Sequence, residues 1–291
     1  MANVFKDPAL QAQFEAKGYV KFPLLNSAEV GSLLQVYLDN EAAHHQNVQG
    51  GFHGTSHTEN EALITRISHA VLELTGPALQ RHLQHYKFIG GNFLIKDRHT
   101  TDEVPPHQDW TYVEEPRHWS AHVWIALRDV PADGGALFFI DGSHRMSTGP
   151  RTSPGNDWMY AGATEAMQQL RTVVPLKAGE ALLFNNATIH GSVANTLQTE
   201  RVAAVVGLYD ADSALYHYYQ EKGSNEITRY TISQDDFIKL KFGKRPEHYR
   251  QVEPPYTYIY QPISNQEFKA LYAKTNGNWW SRLLHTLKLK G

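Results

Sequence analysis

The sequence predicts an α+β fold with a mainly β core, and three observations carry that expectation. The first 85 or so residues contain two stretches whose apolar residues recur at helical spacing. From Tyr86 the texture changes to short β-rich runs: "KFIGGNFLI", "SAHVWIALRDV", "ALFFI", "EALLFNN" and "RVAAVVGLY". Between them stand the turn signals "PADGG", "DGSHR" and "KAGE". Helices first, then closely spaced strands, point to a β-sandwich or barrel flanked by helices.

Each element follows from local chemistry. Asp7 before Pro8 is an N-cap and first-turn pair for a short opening helix. "GYVKFPLL" reads as a strand, and Ser27 is expected to cap a helix through about Ala43. The Gly- and His-rich stretch 47–58 reads as a loop. A second helix is expected from about Glu61 to His85, with Leu63, Ile67, Ala70, Leu74 and Leu79 near helical spacing. The stretch 146–169, with its Gly, Pro, Ser and Trp158, reads as a loop over one mouth of the β core. Beyond Asp210 the pattern turns irregular. The chain is thus expected to form a single domain over 1–291, with helical support over about 1–85, a β core over 86–210 and an extension over 211–291.

Composition narrows the function. At 291 residues, with 41% hydrophobic and 20% charged, the chain is an ordinary soluble globular protein. It has no cysteine, hence no disulfide, thiolate nucleophile or Cys-type metal site. No apolar run is long enough for a membrane span, and the first residues lack a signal peptide's apolar core, so a cytoplasmic location is expected. A net charge of −3 argues against nucleic acid as a partner. From Glu221 onward there are 12 Lys/Arg against 7 Asp/Glu, a basic segment that favours anionic or lipid-like ligands or simply balances an acidic body. Its end, "NWWSRLLHTLKLK", carries Trp280, Leu283, Leu284 and Leu287 at helical spacing. Docking on the protein's own domain is the expected role, and an interfacial lipid helix the alternative.

The chemistry centres on "VPPHQDWTYV". With 16 His and 13 Asp in the chain, a His-x-Asp triplet is expected about once by chance. On extended backbone, however, His107 and Asp109 share one face and converge. A third metal ligand is found in His190, which follows an apolar strand and precedes Gly191, where a tight turn is expected. Two His and one carboxylate form the facial triad of non-haem Fe(II) oxygenases. Arg201 heads the apolar strand "VAAVVGLY". A buried guanidinium needs an anion, and its planar fork suits the far carboxylate of a keto acid; a surface pair with Glu200 is the competing reading.

These pieces, "GYVKFPLLNSAEV", "HQD", "HVWIALRDVPADGGALFFIDGSHR", "HGSVAN" and Arg201, come in the order and spacing of one family. Over roughly residues 10–210 the chain resembles the phytanoyl-CoA dioxygenase family of Fe(II)/2-oxoglutarate-dependent oxygenases. The resemblance implies a double-stranded β-helix (a cupin-like jelly roll), Fe(II) held by His107, Asp109 and His190, and 2-oxoglutarate and O2 as cosubstrates. It assigns Arg201, assisted by Ser192, to the distal carboxylate, with Trp124 and Phe93 flanking the cosubstrate. A Lys that contacts 2-oxoglutarate in some members has no counterpart in "GGFHGTSHTENEALITR". Halogenating relatives replace the carboxylate by a small residue; Asp109 is intact, so hydroxylation of a small molecule with release of succinate and CO2 is expected. Its rivals are a catalytically silent ligand-binding relative and a cupin-like metalloenzyme that does not use 2-oxoglutarate.

Trp110, Tyr112, Trp158 and His53 are expected at the substrate pocket, although aromatics beside a β core are more often packing. His144 in "DGSHR" is expected to be structural. His44, His45, His53, His57 and His69 fit no standard second metal site.

Overall fold

The computed structural model describes residues 3–41, 51–115, 117–146, 149–154, 158–240, 243–246 and 248–288, with side chains through 277. The opening helix α1 (Pro8–Lys17) starts where the Asp7 carboxylate accepts from the Ala9 and Leu10 amides, and ends at Gly18 with φ of 82°. Strand β1 (Tyr19–Pro23) follows. Helix α2 (Ser27–Leu38) is capped by Asn26 and not by Ser27. Asn26 accepts from the Ala28 and Glu29 amides while the Glu29 carboxylate accepts from the Asn26 amide, a reciprocal box that makes Ser27 the first helical residue. The helix stops at Leu38, short of Ala43, which lies with 42–50 outside the described residues.

After β2 (Phe52–Gly54) comes the long helix α3 (Glu61–His82), capped by Asn60. It ends before His85 because Leu83 is already extended and His85 takes a positive φ of 56°. Its buried face, including Ile67, Val71 and Leu79, packs on the sheet behind it.

The core is two antiparallel sheets. The first has six strands in the order β1-β8-β5-β10-β3-β2, with β3 (Tyr86–Lys96), β5 (Ser120–Ala126), β8 (Glu180–Asn185) and β10 (Arg201–Asp210) at its centre. The second has four, in the order β4-β9-β6-β7: β4 (Val104–His107), β6 (Leu137–Ile140), β7 (Arg171–Val174) and β9 (His190–Ser192). Strands β3 to β10 pass back and forth between the two sheets.

Two hydrophobic clusters hold this together. One lies between the six-stranded sheet and the N-terminal helices, around Val20, Leu33, Ile67, Val123 and Leu183. The other lies between the sheets, where Trp124, Leu182 and Phe184 meet Leu137 and Phe139. A fully buried side chain of this size contributes about 1.5–3 kcal/mol.

The stretch after Met146 is only partly a loop. It includes helix α4 (Thr164–Leu170), and with Tyr160 and Met167 it builds a third buried cluster. Past Asp210 the chain is more regular than its sequence suggests. It forms another antiparallel sheet, β11 (Tyr216–Gln220), β12 (Glu226–Thr231), β13 (Arg250–Gln251) and β14 (Tyr256–Thr257), with the short helix α5 (Gln234–Lys239). Helix α6 (Asn265–Lys288) closes the chain. Its first turns dock on the domain: Phe268 is fully buried against Tyr160, and Asn276 accepts from Arg145. The side chains of Trp280, Leu283, Leu284 and Leu287 lie outside the described residues.

Candidate metal and cosubstrate site

His107 is the last residue of β4 and faces His190, the first of β9, directly across the antiparallel ladder. Their rings stand 4.4 Å apart. Asp109 lies just beyond β4, its amide tied to the Asn186 carbonyl at 3.0 Å. One Asp109 oxygen is 3.9 Å from His107 Nε2 and the other 3.8 Å from His190 Nε2, so three ligand atoms converge.

The tautomers are set by the backbone. His107 Nδ1 is 2.9 Å from the Pro105 carbonyl and His190 Nδ1 is 2.9 Å from the Thr188 carbonyl. Each Nδ1–H therefore donates to its carbonyl, leaving both Nε2 lone pairs free for a metal. Burial pushes His190 down to about 4, keeping it neutral near pH 7. Burial would raise Asp109, but His190 and His122 outweigh it and hold the carboxylate well below its usual range. A carboxylate between two imidazoles whose Nε2 atoms point at it is a donor set that fits Fe(II).

Arg201 starts β10, paired with Lys96 on β3, and is buried at 3% exposure. Its Nη1 donates to the Gly135 carbonyl at 2.8 Å, and its guanidinium lies 5.1 Å from the Trp124 ring. Nε and Nη2 have no hydrogen-bond partner among the described residues. Glu200 does not serve: it accepts from Tyr37 and pairs with Arg128. Burial pushes the guanidinium down to about 9. A buried cation with two idle donors suits a bidentate anion. One cavity of about 460 Å³ is lined by Arg201, Ser192, Trp124 and the three metal-binding candidates.

Other expected site residues divide. Trp110 and Tyr112 line this cavity. Phe93 does not, because β3 alternates: Asn92 and Leu94 face the cavity while Phe93 is buried behind the sheet against Tyr37. Trp158 is not a lining residue either; its indole donates to Gln108 and its ring packs on Tyr160. His53 turns away to Asp97 at 3.2 Å, while its neighbours Phe52 and His57 line the cavity. Gly191 makes no turn. It lies within β9, where a Cβ would collide with the Val104 carbonyl and the Phe138 ring, so glycine lets the strands close beside His190. His144 is buried in a 3-10 turn, as a structural residue would be.

Three residues were not anticipated. His122 Nδ1 lies 2.8 Å from the second oxygen of Asp109. It is two residues before Trp124 on the same strand face, and that spacing was the available signal. Arg151 donates from Nε to the Asp109 carbonyl at 2.7 Å and grips Glu115 with both terminal nitrogens. Lys96, buried across from Arg201, donates to Ser192 Oγ at 2.9 Å and to the Val193 carbonyl at 2.7 Å. Among the described residues a second convergent group is His85, Asp210 and Asp212, unrelated to the histidines singled out in the sequence. His44 and His45 lie outside the described residues.

Antiparallel sheets flanked by helices thus surround one cavity that holds a two-His, one-carboxylate group and a buried arginine. The family model "Phytanoyl-CoA dioxygenase (PhyH)" matches residues 11–203, and the chain belongs to that family. The family's cofactors are Fe(II) and 2-oxoglutarate, with O2. The chain is 29% identical over 174 residues to phytanoyl-CoA dioxygenase domain-containing protein 1 of Danio rerio, covering 54% of this chain and 56% of that one. To the Mus musculus protein of the same name it is 31% identical over 142 residues, covering 46% and 48%. The chain thus spans about half the length of the curated relatives it matches. Among solved structures, the non-heme alpha ketoglutarate dependent carbocyclase SnoK from nogalamycin biosynthesis superposes with a TM-score of 0.57 at 21% identity, covering 85% of this chain and 96% of SnoK. The epimerase SnoN, in complex with Fe3+, alpha ketoglutarate and nogalamycin RO, gives 0.57 at 24%, covering 88% and 99%. Both likenesses concern the fold. No helix among the described residues is long and apolar enough to cross a membrane.

Proposed function

We propose that the protein is an Fe(II)- and 2-oxoglutarate-dependent hydroxylase of a small molecule, releasing succinate and CO2. The winding of β3 to β10 between two sheets reads as a double-stranded β-helix, with the metal ligands on the four-stranded side and Arg201 on the six-stranded side. The observation that carries the proposal is the pair of idle donors on Arg201, a residue that lines the same cavity as the triad.

In this reading His107, Asp109 and His190 hold the metal, and the bound metal with 2-oxoglutarate and O2 supplies the oxidant that removes hydrogen from the substrate. Arg201 takes the distal carboxylate in its planar fork while Trp124 keeps water from it. Lys96 fixes Ser192 beside that pocket. His122 holds one Asp109 oxygen, leaving the other for the metal. Because position 109 is a carboxylate and not a small residue, the substrate is hydroxylated and not halogenated.

Anaerobic addition of Fe(II) and 2-oxoglutarate should give a weak visible charge-transfer band. In Arg201→Ala the 2-oxoglutarate needed to develop it should rise at least tenfold. Absence of the band, or an unchanged titration in the variant, would leave the silent-relative and cupin-like readings in its place.

A further inference from the structure

The cavity extends well past the space a keto acid needs. Arg201, Val205 and Gly207 of β10 all line it, and six residues of strand span roughly 20 Å. At Gly207 the cross-strand neighbours are Gly90 on β3 and His122 on β5. His122 contacts Asp109, so this end adjoins the metal centre. The two glycines lie side by side, and over Gly207 the Ile89 side chain takes the space a Cβ would need. A Cβ at Gly90 would stand in ordinary contact with Ser68 Oγ at 3.5 Å, Ile238 at 3.6 Å and Phe237 at 3.8 Å, so a larger side chain there would push into the cavity that these residues line.

The walls are apolar, with their aromatic rings packed edge to face. Tyr112 meets Phe237 of α5 edge to face at 5.2 Å, and Trp110 stands at 6.5 Å from Tyr112. Ile238 and Leu240 complete the side contributed by the C-terminal extension. Among the described lining residues the only Asp, Glu, Lys or Arg are Asp109 and Arg201, the two that the metal and the keto acid already engage in this reading. A coenzyme A thioester would need cations for its phosphates, and a free amino acid would need a charged partner for each end. Beyond Asp109 and Arg201, the described lining residues offer neither. One polar handle is: Asn92 Oδ1 is buried without a hydrogen-bond partner, although its Nδ2 donates to Ser56. A buried acceptor of this kind calls for an O–H or N–H donor.

We infer that the substrate is an uncharged, largely apolar molecule with a hydroxyl or N–H donor, seated against Trp110, Tyr112 and Phe237 beside Gly90 and Gly207. This rests on the oxygenase reading for its chemistry, but not for the shape or charge of the slot. Sites of this type are mostly apolar with a few placed polar groups.

The test uses three probes on the anaerobic Fe(II)–2-oxoglutarate protein: 2-naphthol, 2-naphthoate and octanoyl-CoA. 2-Naphthol should shift the charge-transfer band, and the other two should need at least tenfold higher concentrations to do so. Gly90→Val should raise the 2-naphthol Kd at least tenfold with its circular dichroism spectrum retained, and Gly90→Ala should fall between. Quenching of naphthol fluorescence reads the same slot in metal-free protein, so a missing band counts against the cosubstrate reading alone. Preference for octanoyl-CoA or 2-naphthoate, or a Gly90→Val Kd equal to that of the parent chain, would overturn the inference.

Discussion

At the scale of single residues, Asp109 has two oxygens with different tasks. One faces His107 Nε2 at 3.9 Å; the other lies 2.8 Å from His122 Nδ1. A carboxylate held at one oxygen keeps the other aimed, and loss of such outer partners weakens metal affinity by about 10–100-fold. His122→Ala should therefore raise the Kd for Co(II), used as an air-stable stand-in, by about that factor. His122→Asn, whose amide nitrogen falls near the position of Nδ1, should recover part of it. Equal Co(II) affinity in the parent chain and His122→Ala would remove the positioning role. The triad and Arg201 were legible in the sequence because few residue types serve those tasks and their order is distinctive. His122 was not, since a histidine in an apolar strand reads as packing until its partner is known.

At the scale of elements, the segment carrying Asp109 leaves the regular ladder past β4, keeping single backbone bonds from the Asp109 amide to Asn186 and from the Tyr216 amide to Tyr112. Arg151 replaces the missing ladder: Nε binds the Asp109 carbonyl, Nη1 and Nη2 bind Glu115, and its backbone exchanges hydrogen bonds with Thr111. Breaking a buried pair from one side leaves an uncompensated charge and costs about 3–5 kcal/mol. Arg151→Met should thus lower stability by about 3 kcal/mol in urea titrations, with Arg151→Met/Glu115→Gln less affected. If the double variant were the worse of the two, the pair would not be the link. The same scale shows what sequence patterns reveal. β5, β6, β8 and β10 are apolar runs buried on both faces and were read directly. β11 and β12 were missed because "YHYYQ" and "EITRYT" use Tyr, His and Thr in place of an aliphatic run. Phe93 failed for a different reason. One residue of register separates the cavity face of β3 from its back, and sequence alone does not fix that register.

At the scale of the whole molecule, two buried histidines away from the metal centre tie stability to pH. Burial, reinforced by Arg145, pushes His144 down to about 3, and burial pushes His217 down to about 4. Each lies between parts of the fold: His144 beneath Gly18 at the end of α1, His217 on β11 beside Trp110. In the unfolded chain both protonate near their ordinary value of about 6.5. Between that value and the folded one, the unfolded state binds more protons than the native state, so stability increases with pH. The contribution is intact above pH 6.5 and is lost as pH falls toward 4 and then 3. Each histidine adds at most about 1.4 kcal/mol per pH unit in that window. Denaturant titrations of metal-free protein at pH 7, 6 and 5 should show falling stability. His144→Asn should reduce the slope relative to the parent chain, because the triad histidines contribute equally to both. A His144→Asn variant with the parent's slope would mean that His144 is protonated in the folded protein, with an anion or water beneath Gly18 to receive the charge.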